Sequence, residues 1–169
     1  MSSLADLTEL VGFFSYSRRD DERSEGALSR LRARISRELE LQLGRDFKLW
    51  QDIAAIPEGA LWEVDINKAI AASSFFIPIV TPGAVSSRHC RFEFEAFLKR
   101  EAALERNNLI FPIIYVRVPA LEREEEWRRN DVLKIIGERQ YMNWQSLRHR
   151  DLAEPEVRTK IGFGSRSSG

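Results

Sequence analysis

Phe75-Phe76-Ile77-Pro78-Ile79-Val80, then Thr81-Pro82-Gly83, then Ser86-Ser87-Arg88-His89-Cys90-Arg91-Phe92-Glu93: the reading of this stretch decides the fold. Six apolar residues without polar alternation predict a strand covered on both faces, and so a central strand of a parallel sheet. The Thr-Pro-Gly break predicts a sharp turn, and a helix follows over residues 88–106. Glu93 then lies about two turns inside that helix, near its mouth. In an open α/β sheet such a strand-to-helix junction is where ligands bind. A carboxylate there is suited to stabilising a sugar cation.

Outward from this junction, strands and helices alternate. Short apolar runs predict strands at residues 11–15, 47–50, 109–116 and 140–144. Helices are predicted over 27–43, 61–72 and 124–136. The first carries the stripe Leu28, Leu31, Ile35, Leu39 and ends at Gly44. Residues 51–60 form a loop in which Pro57-Glu58-Gly59 suits a type I turn. The expected fold is therefore α/β: a flavodoxin-like three-layer sandwich around a five-stranded parallel sheet of order 2-1-3-4-5. The loops 16–23 and 81–87 would frame a site at the switch point between the first and third strands, with 51–60 beside them. One domain spans residues 8–152. Residues 153–169, with Gly162, Gly164, Gly169 and three serines near their end, read as a tail or as a linker to a further domain.

Composition narrows the function. The 169 residues suit one ordinary domain, and 43% hydrophobic residues suffice for a core. Twenty-six basic residues balance 26 acidic ones, which argues against a dedicated nucleic-acid binder. Cys90 is the only cysteine, so no internal disulfide forms, in keeping with a reducing cytosol. With His89 and His149 it makes no zinc spacing, so no metal is expected. Residues 1–10 do not read as a signal peptide. The longest uncharged stretch, 69–87, is interrupted by Ser73, Ser74, Pro78, Thr81 and Pro82 and is no membrane helix. A cytoplasmic chain that binds neither membrane nor nucleic acid directly is expected.

The candidate site residues each carry a plainer alternative. At 100° per residue, Cys90, Phe94, Phe97 and Leu104 share the core stripe of helix 88–106. Glu93 falls on the stripe's edge, with His89 one turn before it. The alternative is a solvated helix glutamate. Tyr16, Ser17, Arg18 and Arg19 follow the first strand, where guanidinium groups can hold a diphosphate or form a solvated basic turn with Asp20 and Asp21. Asp52 can bind a ribose hydroxyl or cap its turn. Trp50 and Trp62 can stack on a base or pack the core, and Trp144 packs the last strand. There is no Walker or dinucleotide glycine pattern, and nothing supports a nucleophile elbow around Ser15, His89 and Asp52.

Several boxes in order resemble the TIR family. Phe13-Phe14-Ser15-Tyr16-Ser17 resembles its first box. Leu49-Trp50-Gln51-Asp52 with Ile56-Pro57-Glu58-Gly59 and Trp62 is similar to its second strand and BB loop. Residues 70–81 resemble its third strand with the preceding helix. Ser87-Arg88-His89-Cys90-Arg91-Phe92-Glu93 resembles its Ser–Trp–Cys–Glu segment, and Tyr141-Met142-Asn143-Trp144 its late Phe–Trp box. The resemblance covers about residues 8–150 and is nearest to bacterial and plant members. It implies a flavodoxin-like fold and, in NAD+-cleaving members, a catalytic glutamate at the position of Glu93. It further implies that Tyr16, Ser17 and Arg18 line one side of the pocket, and Asp52, Leu61 and Trp62 another. NAD+ is then a substrate, and no cofactor is implied. His89 stands where the family often has Trp. An imidazole there stacks more weakly, and it can also pair with Glu93.

Two functions follow as expectations. One is an NAD+ glycohydrolase, with linear or cyclised product, switched on by self-assembly through Ile56, Pro57, Glu58 and Gly59. Such an enzyme, with a regulatory domain downstream, would be an effector of bacterial antiphage defence. The other is a signalling module that assembles through TIR–TIR contacts without catalysis. Receiver domains and flavodoxins share the fold, but Ser15-Tyr16-Ser17, Thr81-Pro82 and Arg18-Arg19-Asp20-Asp21 do not supply their acidic or phosphate-binding loops.

Overall fold

A computed structural model describes residues 11–44, 46, 48–51 and 62–148. The element order is β1 (Val11–Ser15), α1 (Arg18–Arg23), α2 (Ala27–Leu43), β2 (Lys48–Gln51), α3 (Trp62–Ala72), β3 (Phe75–Val80), α4 (Pro82–Val85), α5 (Arg88–Ala103), β4 (Ile113–Ile114), a 3-10 turn (Pro119–Glu122), α6 (Glu124–Trp127), α7 (Asp131–Gly137) and β5 (Met142–Asn143). The strands form one parallel sheet ordered β2-β1-β3-β4-β5. Gly12 lies opposite Leu49 on one side and Phe75 on the other, and Ser15 lies opposite Pro78.

The pleat sorts the apolar residues onto two faces, because successive side chains on a strand point oppositely. Phe13, Phe76, Val80 and Ile114 join Ile70 of α3, Phe94 and Phe97 of α5 and the apolar residues of α7. Phe14, Ile77, Ile79 and Ile113 join Leu28 and Leu31 of α2, with Trp144 and Leu147 beyond β5. On the first face four rings interlock. Phe76 stacks on Phe97 with centroids 4.5 Å apart and meets Phe94 edge-on at 5.3 Å, while Phe13 touches both Phe76 and Phe97 at 5.8 Å. All four are fully buried, and each contributes about 1.5–3 kcal/mol by leaving water. This cluster seats α5 on the sheet.

Several elements differ from the sequence reading. Residues 18–23, predicted as a loop, form α1, because Ser17 caps it and Asp20 and Asp21 favour its first turn. The apolar run 109–116 is not one strand. Ile110 makes an isolated bridge to Phe76, and pairing resumes only at Ile113, after Pro112, which lacks an N–H. Residues 124–136 split into α6 and α7, since Asn130 caps α7 through Oδ1, which accepts from the Val132 and Leu133 amides at 3.0 Å. Helix α5 ends at Ala103, so Leu104 becomes its C-cap and is half exposed instead of joining the core stripe. Residues 153–169 lie outside the described residues.

Gly137 closes α7 directly beneath Trp127. A Cβ built there would stand 2.6 Å from Trp127 Cδ2 and 2.8 Å from Cε3. An exposed helical glycine ordinarily gains stability on conversion to alanine, but this ring lies in the way. Gly137→Ala is therefore expected to destabilise by about 1–3 kcal/mol in chemical denaturation. A variant as stable as the parent would mean that the Trp127 ring moves freely.

Candidate functional site

Helix α5 carries the candidate acid, and its ends are well defined. Ser87 caps it, accepting from the Cys90 amide at 3.4 Å. Cys90, Glu93, Phe94, Phe97 and Glu101 are its buried residues. These positions follow one stripe of a 3.6-residue helix. Two carboxylates thus lie on the face that packs against the sheet. Glu93 is not on the edge of the stripe. It is inside it, with 0% of its surface exposed.

The partner of Glu93 comes from the end of β1. The Ser15 hydroxyl donates to Glu93 Oε2, and Ser15 itself is only 6% exposed. Strand alternation explains the meeting. Phe13 faces α5, so Ser15, two residues on, faces it too. A buried carboxylate requires donors, and a hydroxyl on a carboxylate makes a charge-assisted bond. Because β1 is held by β2 on one side and β3 on the other, this donor is rigidly placed.

The second carboxylate is met differently. Glu101 is 2% exposed, pairs with Arg139 after α7, and accepts from the Leu109 amide at 3.2 Å. The Arg139 guanidinium also donates to the Ile135 carbonyl at 2.8 Å. This buried pair joins the end of α5, the chain entering β4 and the end of α7. Removing one partner of such a pair is costly, because it strands the other charge.

The loops after β1 and β3 are tied across the switch point. The Thr81 hydroxyl donates to Asp20 Oδ2 at 2.6 Å and accepts from the Ala84 amide at 3.0 Å, so it caps α4 and anchors α1 at once. Next in the chain, Asp21 caps α2, whose first turn has only Gly26 at its N-cap, with φ +78°. Asp21 Oδ1 accepts from the Leu28 and Ser29 amides, each at 3.0 Å, and Oδ2 accepts from the Ser29 hydroxyl at 2.5 Å. The Tyr16 hydroxyl lies 3.0 Å from the same Ser29 oxygen.

The predicted site residues separate accordingly. Glu93 is at the carboxyl end of β1, and half-buried His89 lies one turn earlier on α5. Tyr16 is not on that side. Alternation turns it to the opposite face, where it is buried beside Phe14, with ring centroids 5.7 Å apart. Ser17 caps α1, its hydroxyl accepting from the Asp20 amide at 3.4 Å. Arg18 is exposed and pairs with Glu22 at 3.2 Å. Trp62 opens α3. Asp52, Leu61 and the loop residues Ile56, Pro57, Glu58 and Gly59 lie outside the described residues, as does the side chain of Trp62. Among the described residues no group of three His, Cys, Asp or Glu side chains could hold a metal ion, and no helix is long and apolar enough to cross a membrane.

Sequence reasoning did not single out Ser15, Asp21, Thr81, Glu101 or Arg139 as positioning residues. Ser15 was accessible by counting: it is two residues past Phe13 on a strand whose face is set by the apolar pattern. Glu101 was accessible too, since it recurs eight residues after Glu93 on the same stripe. Arg139 had no local signal, because its partner is 38 residues away.

A family model described as TIR domain matches residues 13–154. No curated protein matches the chain.

The Asp21 network predicts its own strength. Asp21→Ala removes three acceptor contacts to the first turn of α2, two of them to backbone amides. A loss of about 1–3 kcal/mol is expected in urea denaturation. Stability unchanged within 0.5 kcal/mol would show that water caps α2 equally well.

Proposed function

The chain belongs to the TIR-domain family, and on that premise we propose that it cleaves the nicotinamide–ribose bond of NAD+, with Glu93 as the catalytic carboxylate. The observation that carries this reading is the meeting of Glu93 with Ser15 at the carboxyl end of β1, beside the switch point of the sheet. Nicotinamide is a cationic leaving group and needs little acid assistance. As its bond to the ribose C1′ breaks, the electron pair leaves with nicotinamide and positive charge develops on the sugar, as in glycoside hydrolysis. A carboxylate held in a site shielded from water stabilises that charge more strongly than one in bulk solvent. Water then bonds to C1′ and gives up a proton, leaving ADP-ribose, nicotinamide and H+. Capture of the cation by the adenine of the same molecule instead gives a cyclic product.

In this reading Arg18 exchanges its exposed bond to Glu22 for the diphosphate, a small loss because exposed pairs contribute little. Ser17 and His89 border the same crevice, and Asp52, Leu61 and Trp62 complete it from the following loop and helix. Tyr16 supports this wall from behind, through Ser29 and Asp21. Self-assembly through Ile56, Pro57, Glu58 and Gly59 switches the enzyme on, and bacterial antiphage defence is the setting that fits it. The family relation supports the first of these points, since TIR domains commonly self-associate.

One observation favours a second reading. Glu93 has no exposed surface, as befits a residue that only pins α5 to β1 in a non-catalytic assembly module. The two readings part on one measurement. With concentrated protein and NAD+, Glu93→Gln and Glu93→Ala are each expected to lower nicotinamide release by about 10²–10³-fold. Release retained by either variant removes Glu93 from the mechanism. A parent protein that assembles and yet releases no nicotinamide is a module and not an enzyme. Gly59→Arg is expected to reduce light scattering and nicotinamide release together. Full activity without assembly would sever the link between them.

A further inference from the structure

Resting on the proposed reaction, we propose that Ser15 is the positioning residue that aims Glu93. The starting point is geometric. A glutamate has three side-chain torsions, and a carboxylate that is to act on a developing charge must be fixed among them. The aromatic cluster fixes the backbone of α5, but not the last torsion of Glu93, around which a flat carboxylate turns easily. The Ser15 hydroxyl supplies that restraint by donating to Oε2.

Two features make Ser15 suited to this role. Its backbone belongs to β1, which has a strand on each side and cannot drift. Its hydroxyl is neutral. Glu101, on the same helix stripe, is held by the Arg139 cation. A hydroxyl orients a carboxylate and leaves its charge in place.

The test compares Ser15→Ala, Ser15→Thr and Glu93→Gln on the full chain, following nicotinamide release from NAD+ together with thermal melting. Ser15→Ala is expected to lower kcat roughly 10–100-fold, with KM for NAD+ changed less than about threefold, because aim is lost and binding is not. Ser15→Thr keeps a hydroxyl on a strand that tolerates β-branching and is expected to regain most of kcat. A purely structural serine would show its loss in melting temperature, and threonine would not restore the rate selectively. Parent-like kcat in Ser15→Ala while Glu93→Gln is inactive overturns the role of Ser15 and leaves the reaction standing. A threonine variant that folds but is no faster than Ser15→Ala also overturns it. Nicotinamide release that survives Glu93→Gln, or is absent from the parent protein, overturns the reaction and this role with it.

Discussion

The pleat of a single central strand governs this molecule. Phe13 and Ser15 face α5, and Phe14 and Tyr16 face α2, because a strand alternates its side chains. A shift of one residue would send Ser15 to the wrong face and bring Tyr16 up to Glu93. Register therefore decides which side chain meets Glu93. It is held by the buried phenylalanines: Phe13 and Phe14 are fully enclosed, one in each core, and neither face tolerates their exchange for polar neighbours. The polar end of β1 inherits its geometry from the apolar middle.

Helix α5 uses the same principle at the period of a helix. Glu93 and Glu101 share a stripe with Phe94 and Phe97, so rings that seat the helix also bury two carboxylates. The two acids are handled in different ways. Glu101 is matched by a guanidinium and a backbone amide, an arrangement that locks three chain segments together and leaves the acid no freedom. Glu93 meets a hydroxyl, a weaker and more exchangeable donor.

Much of this was legible in the sequence, and the exceptions have physical causes. Strands at 11–15 and 75–80 and the helix at 27–43 were readable to the residue, because apolar pattern and terminal glycine or proline agreed. Fourth-strand limits were not, since Leu109 to Val116 looks uniform in hydropathy while Pro112 breaks its ladder. The basic character of Arg18-Arg19 drew attention away from Ser17-x-x-Asp20, which is a helix start. Periodicity puts Glu93 on the boundary of the α5 stripe and does not give its depth, since the Ser15 hydroxyl that meets it comes from 78 residues away. Tyr16 was misplaced for a related reason. Neighbours in sequence on a strand are not neighbours in space, so Tyr16 and Ser17 do not share a wall.

The rim of the crevice adds a mechanical argument. Thr81 caps α4 with its oxygen while its proton goes to Asp20 on α1. The loops after β1 and β3 therefore form one piece, and Asp21 fastens that piece to α2. Parting these loops would break the part-buried bond from the Thr81 hydroxyl to Asp20, at a cost of about 1–3 kcal/mol, while the cap on α4, which lies within one loop, would stay.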